Sequence, residues 1–265
     1  MKYTAKNPLS PGYNPMVSAS DHPEMMGMEF GVYVLRPGDK AAFDFPQEVV
    51  YDLLFGEVCL RWAGGERTVR RADCFHEDAI VLHVPQGTHV EVECLSEPAE
   101  IAIARTANPR AFAPRLLFPD DCLFRREERG IGVMDGMARR DTRTFFDRSV
   151  CPETNFYIGE VVHQPGKWSS FPPHTHVEPE LYYYKFLPEN GFALAEYGDD
   201  AYKVKHNDLL GMSANVTHAQ ACTPGYAEFY LWCIRLQDDK PLVSTFVPEY
   251  EWVNDPDARF FPNEK

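Results

Sequence analysis

Three features are missing from this 265-residue sequence, and each absence excludes a class of protein. There is no CxxC pair, and the seven cysteines (Cys59, Cys74, Cys94, Cys122, Cys151, Cys222, Cys233) are odd in number and widely scattered. That pattern argues against a disulfide framework or a zinc-thiolate knuckle, and for reduced, buried thiols. No stretch approaches the ~18 consecutive apolar residues of a membrane span, and residues 1–15 lack a basic segment followed by an apolar run. A soluble, cytoplasmic protein is therefore expected. Lysine and arginine nowhere form a stripe, and the formal net charge is −14. A phosphate backbone needs a clustered basic surface, so nucleic acid is not an expected partner. Glycine is also sparse, at 17 against 22 prolines, while aromatics reach 13%. Ample core-forming side chains with many interruptions suit short strands rather than long helices.

What is present is an internal repeat of roughly 130 residues, the size of a duplicated domain. Arg36-Pro37-Gly38 after a strand over residues 30–35 answers Gln164-Pro165-Gly166 after one over 156–162. Glu48, leading the apolar run 49–55, answers Glu180, leading 181–186. Residues 85–89, ending in His89, answer 213–218, ending in His218, and 99–103 answer 227–231. Short β-rich runs punctuated every 8 to 12 residues suggest a sandwich or barrel, and a double-stranded jelly roll closes its edges. The expected organisation is an amino-terminal barrel over 1–120, a linker with a short helix over 121–150, and a carboxyl-terminal barrel over 151–265.

Chemistry concentrates between Pro172 and Glu180, and at His218. His174 and His176, two apart on a strand, share a face, and Glu180 keeps that parity. His218 follows Asn207-Asp208, a pair suited to a turn, and a strand that returns the chain to complete the shell. Three imidazoles and one carboxylate suit a single divalent Zn, Mn or Fe ion better than Ca or Mg, and leave positions open for water or substrate. The alternative is a set of surface histidines beside a proline-rich loop. The full four-residue pattern outweighs it. In the amino-terminal half the same alignment puts Ala42, Asp44, Glu48 and His89 at the ligand positions, so no catalytic metal is expected there. A structural role, with homo-oligomer contacts, is expected instead.

His174-x-His176-x3-Glu180 resembles the first cupin motif, and Asn207-Asp208-x4-Ser213-x-Asn215-x2-His218 is similar to the second. The fold expected from this resemblance is all-β, a bicupin of two tandem double-stranded β-helix barrels. The run from Glu160 to His176, including Gln164-Pro165-Gly166-Lys167-Trp168-Ser169-Ser170, followed by Glu180-Leu181-Tyr182-Tyr183-Tyr184, resembles bacterial 5-deoxy-glucuronate isomerases of myo-inositol catabolism. Val34 to Gly38, Val84 to Gly87, Pro224 to Tyr226 and Asp255-Pro256 extend the likeness. It implies a metal-dependent aldose-ketose isomerase that takes 5-deoxy-glucuronate to 2-deoxy-5-keto-gluconate. A related uronate or deoxy-sugar remains open as substrate. So do two other activities, an iron-dependent dioxygenase and a silent sugar-acid-binding protein.

For isomerisation the candidate base is Glu178, between the ligands in sequence, with Tyr182 as a proton donor or relay. Tyr184 continues the inward parity, whereas Tyr183 and Lys185 are expected to face outward. A uronate carboxylate calls for a cation. Lys167, Arg235 or an arginine between Arg139 and Arg148 is the candidate, with Trp168 and Tyr184 beside the sugar. His163 and His206 are read as structural or exposed.

Overall fold

A computed structural model describes residues 1–95, 97–118, 125–238 and 240–262. Cys122 and the start of the expected linker lie outside the described residues. The chain forms two compact units. One comprises Ala5–Arg125 and Arg143–Ile158, the other Met1–Thr4, Arg126–Thr142 and Gly159–Lys265. The stretch expected to be a linker thus carries strands Arg125–Arg129 and Arg140–Phe146 and a short 3-10 helix, Met134–Gly136. Among the described residues no helix is long and apolar enough to cross a membrane.

In the first unit the 15-residue strand Glu48–Trp62 serves two sheets. Residues 49–52 pair with Val81–Val84 and 48–55 with Ala99–Thr106, whereas 56–62 pair with Gly65–Arg71 and 58–62 with Val90–Cys94. The corner is turned where the register shifts between Leu53 and Phe55, one residue before Gly56 at φ +106°. Only glycine fits there, because an added Cβ would lie 2.6 Å from the Ala99 Cα. Side chains on one face of these strands, including Leu35, Phe43, Val49, Tyr51, Leu53, Val90, Val92, Ala99 and Ile101, make a continuous apolar core.

The remaining strands form two further sheets. One runs in the order Lys2–Tyr3, Leu209–Met212, Glu180–Leu187, Ala227–Arg235, Phe156–His163, Arg140–Phe146, Arg125–Arg129. The other runs Asp200–Lys205, Phe192–Tyr197, His218–Cys222, Trp168–Thr175, Thr245–Phe246. Here the corner-turning strand is broken in two by a turn at residues 188–191, in which Gly191 packs where a Cβ would sit 2.7 Å from the Tyr226 ring.

Pairing register corrects the sequence alignment of the halves by one residue. Phe43 pairs with Val90 as His174 pairs with His218, and Tyr51 with Leu82 as Tyr182 with Leu210. The positions matching His174, Glu180 and His218 are therefore Phe43, Val49 and Val90, all core residues. A one-residue slip sends each side chain to the opposite face. Glu48 accordingly points away from the apolar core and accepts hydrogen bonds from His83 Nε2 (2.7 Å), Asn108 Nδ2 (2.7 Å), Thr154 Oγ1 (2.5 Å) and the Asn155 amide (2.9 Å). Burial pushes the Glu48 carboxyl up, but His83, Thr154 and Asn155 outweigh it and hold it below the ordinary carboxylate range. His89 is exposed, and its ring pairs with Asp44 at 2.8 Å.

Candidate metal centre

Glu180 opens its strand opposite Met212 and Ile234, while His174 and His218 are cross-strand partners in the other sheet. His176 lies just beyond the end of Trp168–Thr175. The three histidines bring one ring nitrogen each within 4.8 Å of the others. Glu180 Oε2 stands 3.2 Å from His176 Nε2 and 3.4 Å from His218 Nε2. Those are about the spacings of neighbouring ligands around an ion at ~2.1 Å.

Each ring is also oriented from behind. Nδ1 of His176 donates to the Glu178 carbonyl (2.7 Å), that of His218 to the Val216 carbonyl (3.0 Å), and that of His174 to the Ser170 carbonyl (3.4 Å). A carbonyl can only accept, so each Nδ1 carries a proton and Nε2 is the nitrogen left for a Lewis acid, the arrangement in which metal-binding histidines are usually fixed; His176 Nε2 meanwhile hydrogen-bonds Glu180 Oε2 at 3.2 Å. Burial, reinforced by the nearby His218, lowers His174 to about 4, so its lone pair is available at neutral pH. Burial works against the Glu180 charge, but His176 and His218 prevail and hold the carboxyl at about 2. His176 is shifted the other way: burial opposes its charge and Glu180 raises its pKa above the ordinary value.

Of the other residues singled out in the sequence, Glu178 is buried, and neither of its carboxylate oxygens has a hydrogen-bond partner. Tyr182 and Tyr184 lie along the same face as Glu180, opposite Trp232 and Tyr230. Burial, then the Glu180 charge, raises the Tyr182 phenol well above its ordinary value, so it stays protonated. Tyr183 and Lys185 do not face solvent as expected. They are buried on the opposite face of the sheet, where the Tyr183 hydroxyl (2.7 Å) and Lys185 Nζ (3.1 Å) both donate to Asn207 Oδ1.

Several residues expected near the sugar lie away from the triad. Trp168 opens the strand Trp168–Thr175, at the opposite end from His174, with Lys167 just before it, and Trp168 is 41% exposed, packed edge-on against Phe171. Arg235 alternates to the face opposite Tyr230 and Trp232 and donates to the Leu236 carbonyl. Within the range from Arg139 to Arg148, Arg139 pairs with Glu128, Arg143 binds the Cys74 carbonyl and Asp78, and Arg148 binds Thr154 and Asn155. Arg140 is the one whose charge acts on Tyr230. The sequence reading missed Gln220, and it took His163 as structural without its partner: His163 Nδ1 lies 2.9 Å from Glu228, both with zero exposure. Both signals were available, since Gln220 keeps the parity of His218 and Glu228 that of Tyr230.

An all-β chain of two barrels, in which three histidines and a glutamate converge in the second, is a bicupin. The chain belongs to the KduI/IolB family, whose match spans residues 4–253. Two curated relatives, each named 5-deoxy-glucuronate isomerase, are similar to it. That of Geobacillus kaustophilus is 29% identical over 79% of this chain and 80% of its own length, and that of Geobacillus thermodenitrificans is 27% identical over 92% and 90%. Among solved structures, an IolB-like protein of Salmonella typhimurium superposes with a TM-score of 0.84 at 21% identity, covering 96% of this chain and 99% of that one. Oxalate decarboxylase of Bacillus subtilis superposes at 0.65 with 11% identity, over 95% and 80%, a likeness of fold alone.

Proposed function

We propose that this chain interconverts the aldehyde 5-deoxy-glucuronate and the ketone 2-deoxy-5-keto-gluconate, using one divalent ion held by His174, His176, Glu180 and His218. The observation that carries the reading is the cluster of three histidines, each with Nδ1 turned to a backbone carbonyl and two of them beside the Glu180 carboxylate, in a family whose curated relatives bear that name. When bound, a divalent ion supplies Lewis-acid stabilisation of the negative charge that isomerisation places on oxygen. Glu178, with both oxygens uncommitted, takes the proton from C2 and returns it to C1, while the hydroxyl proton passes from O2 to O1. Tyr182, held protonated, donates to the reacting oxygens. Arg140, whose Nη1 donates to the Ala138 carbonyl (2.7 Å) and which has no carboxylate within ion-pair distance among the described residues, receives the substrate carboxylate. It takes the place of Lys167 and Arg235 in that role. A cytoplasmic location and a homo-oligomeric assembly go with this reading.

The test is anaerobic incubation of the purified protein with 5-deoxy-glucuronate and Zn, Mn or Fe(II), followed by NMR, with elemental analysis of wild type, His176→Ala and His218→Ala. Turnover without oxygen, about one metal per chain, and loss of metal in both variants are expected. Glu178→Gln should keep its metal and lose roughly 10²–10⁴-fold in turnover. Oxygen consumption with no isomerised product, or unchanged metal in both histidine variants, would sink the reading.

A further inference from the structure

The interiors of the two units can be compared through their cross-strand pairs, allowing for the irregularity between Ser169 and His174 that the first unit lacks. In the first unit Leu53 faces Ile101, Ala41 faces Val92 and Leu35 faces Ala99. The corresponding pairs in the second are Tyr184 with Tyr230, Ser169 with Gln220, and His163 with Glu228. An apolar filling therefore suffices to close this barrel, yet the second unit replaces it with amide, hydroxyl, imidazole and carboxylate groups. Burying such groups without partners is costly, and a costly feature with an apolar alternative calls for an explanation.

Gln220 shows the cost most plainly. It has no exposed surface, and neither its amide nitrogen nor its carbonyl oxygen has a hydrogen-bond partner. Two residues from His218 on one strand, it lies on the same face and about 7 Å further along. Around it the polar groups are only partly satisfied. Ser169 and Tyr230 share a hydrogen bond of 2.5 Å, whereas the Tyr184 hydroxyl has none of ordinary geometry. Burial raises the Tyr184 phenol well above its usual value, and a contact with the Gln220 side chain, too poorly aligned to be a hydrogen bond of ordinary geometry, acts against that rise. An amide that both donates and accepts, beside a phenol that donates, complements a hydroxyl, which does both. A carboxylate would instead meet the buried Glu228.

We propose that Gln220 and Tyr184 form a hydroxyl-binding subsite that receives the polyol portion of the sugar acid next to the carbons held at the triad. Gln220 is then a specificity residue, because a site built to bond a hydroxyl rejects analogues that lack it. The subsite rests on the isomerase reading for its substrate, but not for its unpaired amide.

The test uses the full chain loaded with metal. Gln220→Leu should raise the KM for 5-deoxy-glucuronate about tenfold or more, keep its metal, and show an unchanged or higher thermal midpoint without substrate. Tyr184→Phe should move KM the same way with its fold intact. Unchanged KM in both variants would overturn the proposal, as would a lowered midpoint in Gln220→Leu with KM unaltered, which marks an amide satisfied internally by protein or water. If the wild type isomerises no uronate, the isomerase reading fails by itself. The subsite then stands or falls on whether sugar acids raise the wild-type midpoint and fail to raise that of Gln220→Leu. No shift in the wild type eliminates it.

Discussion

Single residues show where sequence reasoning succeeds and where it stops. His174, His176, Glu180 and His218 could be singled out from their spacing, but the parity of one strand is not what gathers them: His174 lies on Trp168–Thr175, His176 beyond its end, and Glu180 opens a strand of the other sheet. Parity could not say whether the other face is wet. Tyr183 and Lys185 alternate as expected, but their side of the sheet is buried too, so an alternation of environment was the wrong inference. His206 illustrates a residue whose role emerges only from its surroundings. Its Nδ1 accepts from the Phe186 amide (3.0 Å), and burial, then the Lys185 charge, depresses its pKa to about 3. The folded state thus keeps this ring neutral while the unfolded chain protonates it near 6.5. Stability is fully present above 6.5 and falls by up to about 1.4 kcal/mol per pH unit as pH drops towards 3. His206→Asn, which retains an acceptor for Phe186, should therefore flatten the pH dependence, narrowing the stability loss between pH 8 and pH 5 by about 2 kcal/mol in urea unfolding. Parallel loss in both proteins would show that another group carries it.

At the scale of elements, the repeat was visible but its register was not. Glu48 with Glu180, and His89 with His218, look alike as letters, yet pairing sets Val49 against Glu180 and Val90 against His218. Similar residues one position apart face opposite ways, and only the ladder reveals it. The corner of Glu48–Trp62 is a related case, since nothing in its apolar run marks the place where the strand changes sheets except Gly56. There a positive φ and the approach of Ala99 combine. Gly56→Ala should destabilise the protein by on the order of 3 kcal/mol, through backbone strain plus overpacking. A denaturation midpoint equal to wild type would show that the corner can relax. The triad, formed wholly by the other unit, should keep its metal.

Over the whole molecule the expected division at residues 121–150 proves too simple. The chain passes between the units at 4/5, 125/126, 142/143 and 158/159, four crossings where a tandem pair needs one. Sequence composition suggested a linker because Arg125–Arg129 and Arg140–Phe146 are polar strands without a clean apolar alternation, and pairing rather than pattern makes them strands. A fragment of residues 151–265 would contain every proposed metal ligand yet lose three strands of the sheet that bears Glu180. Without Lys2–Tyr3, Leu209–Met212 becomes an edge, and so does Phe156–His163 without Arg140–Phe146. The salt bridge from Lys2 to the buried Asp208 (3.3 Å) goes as well. Exposed edges of apolar strands promote association rather than folding. The fragment should therefore be aggregation-prone, lack a cooperative thermal transition, and bind metal far more weakly than the full chain in equilibrium dialysis. Were it to fold cooperatively and hold one ion as tightly as the full protein, the exchanged segments would be dispensable, and the carboxyl-terminal barrel would be an autonomous domain after all.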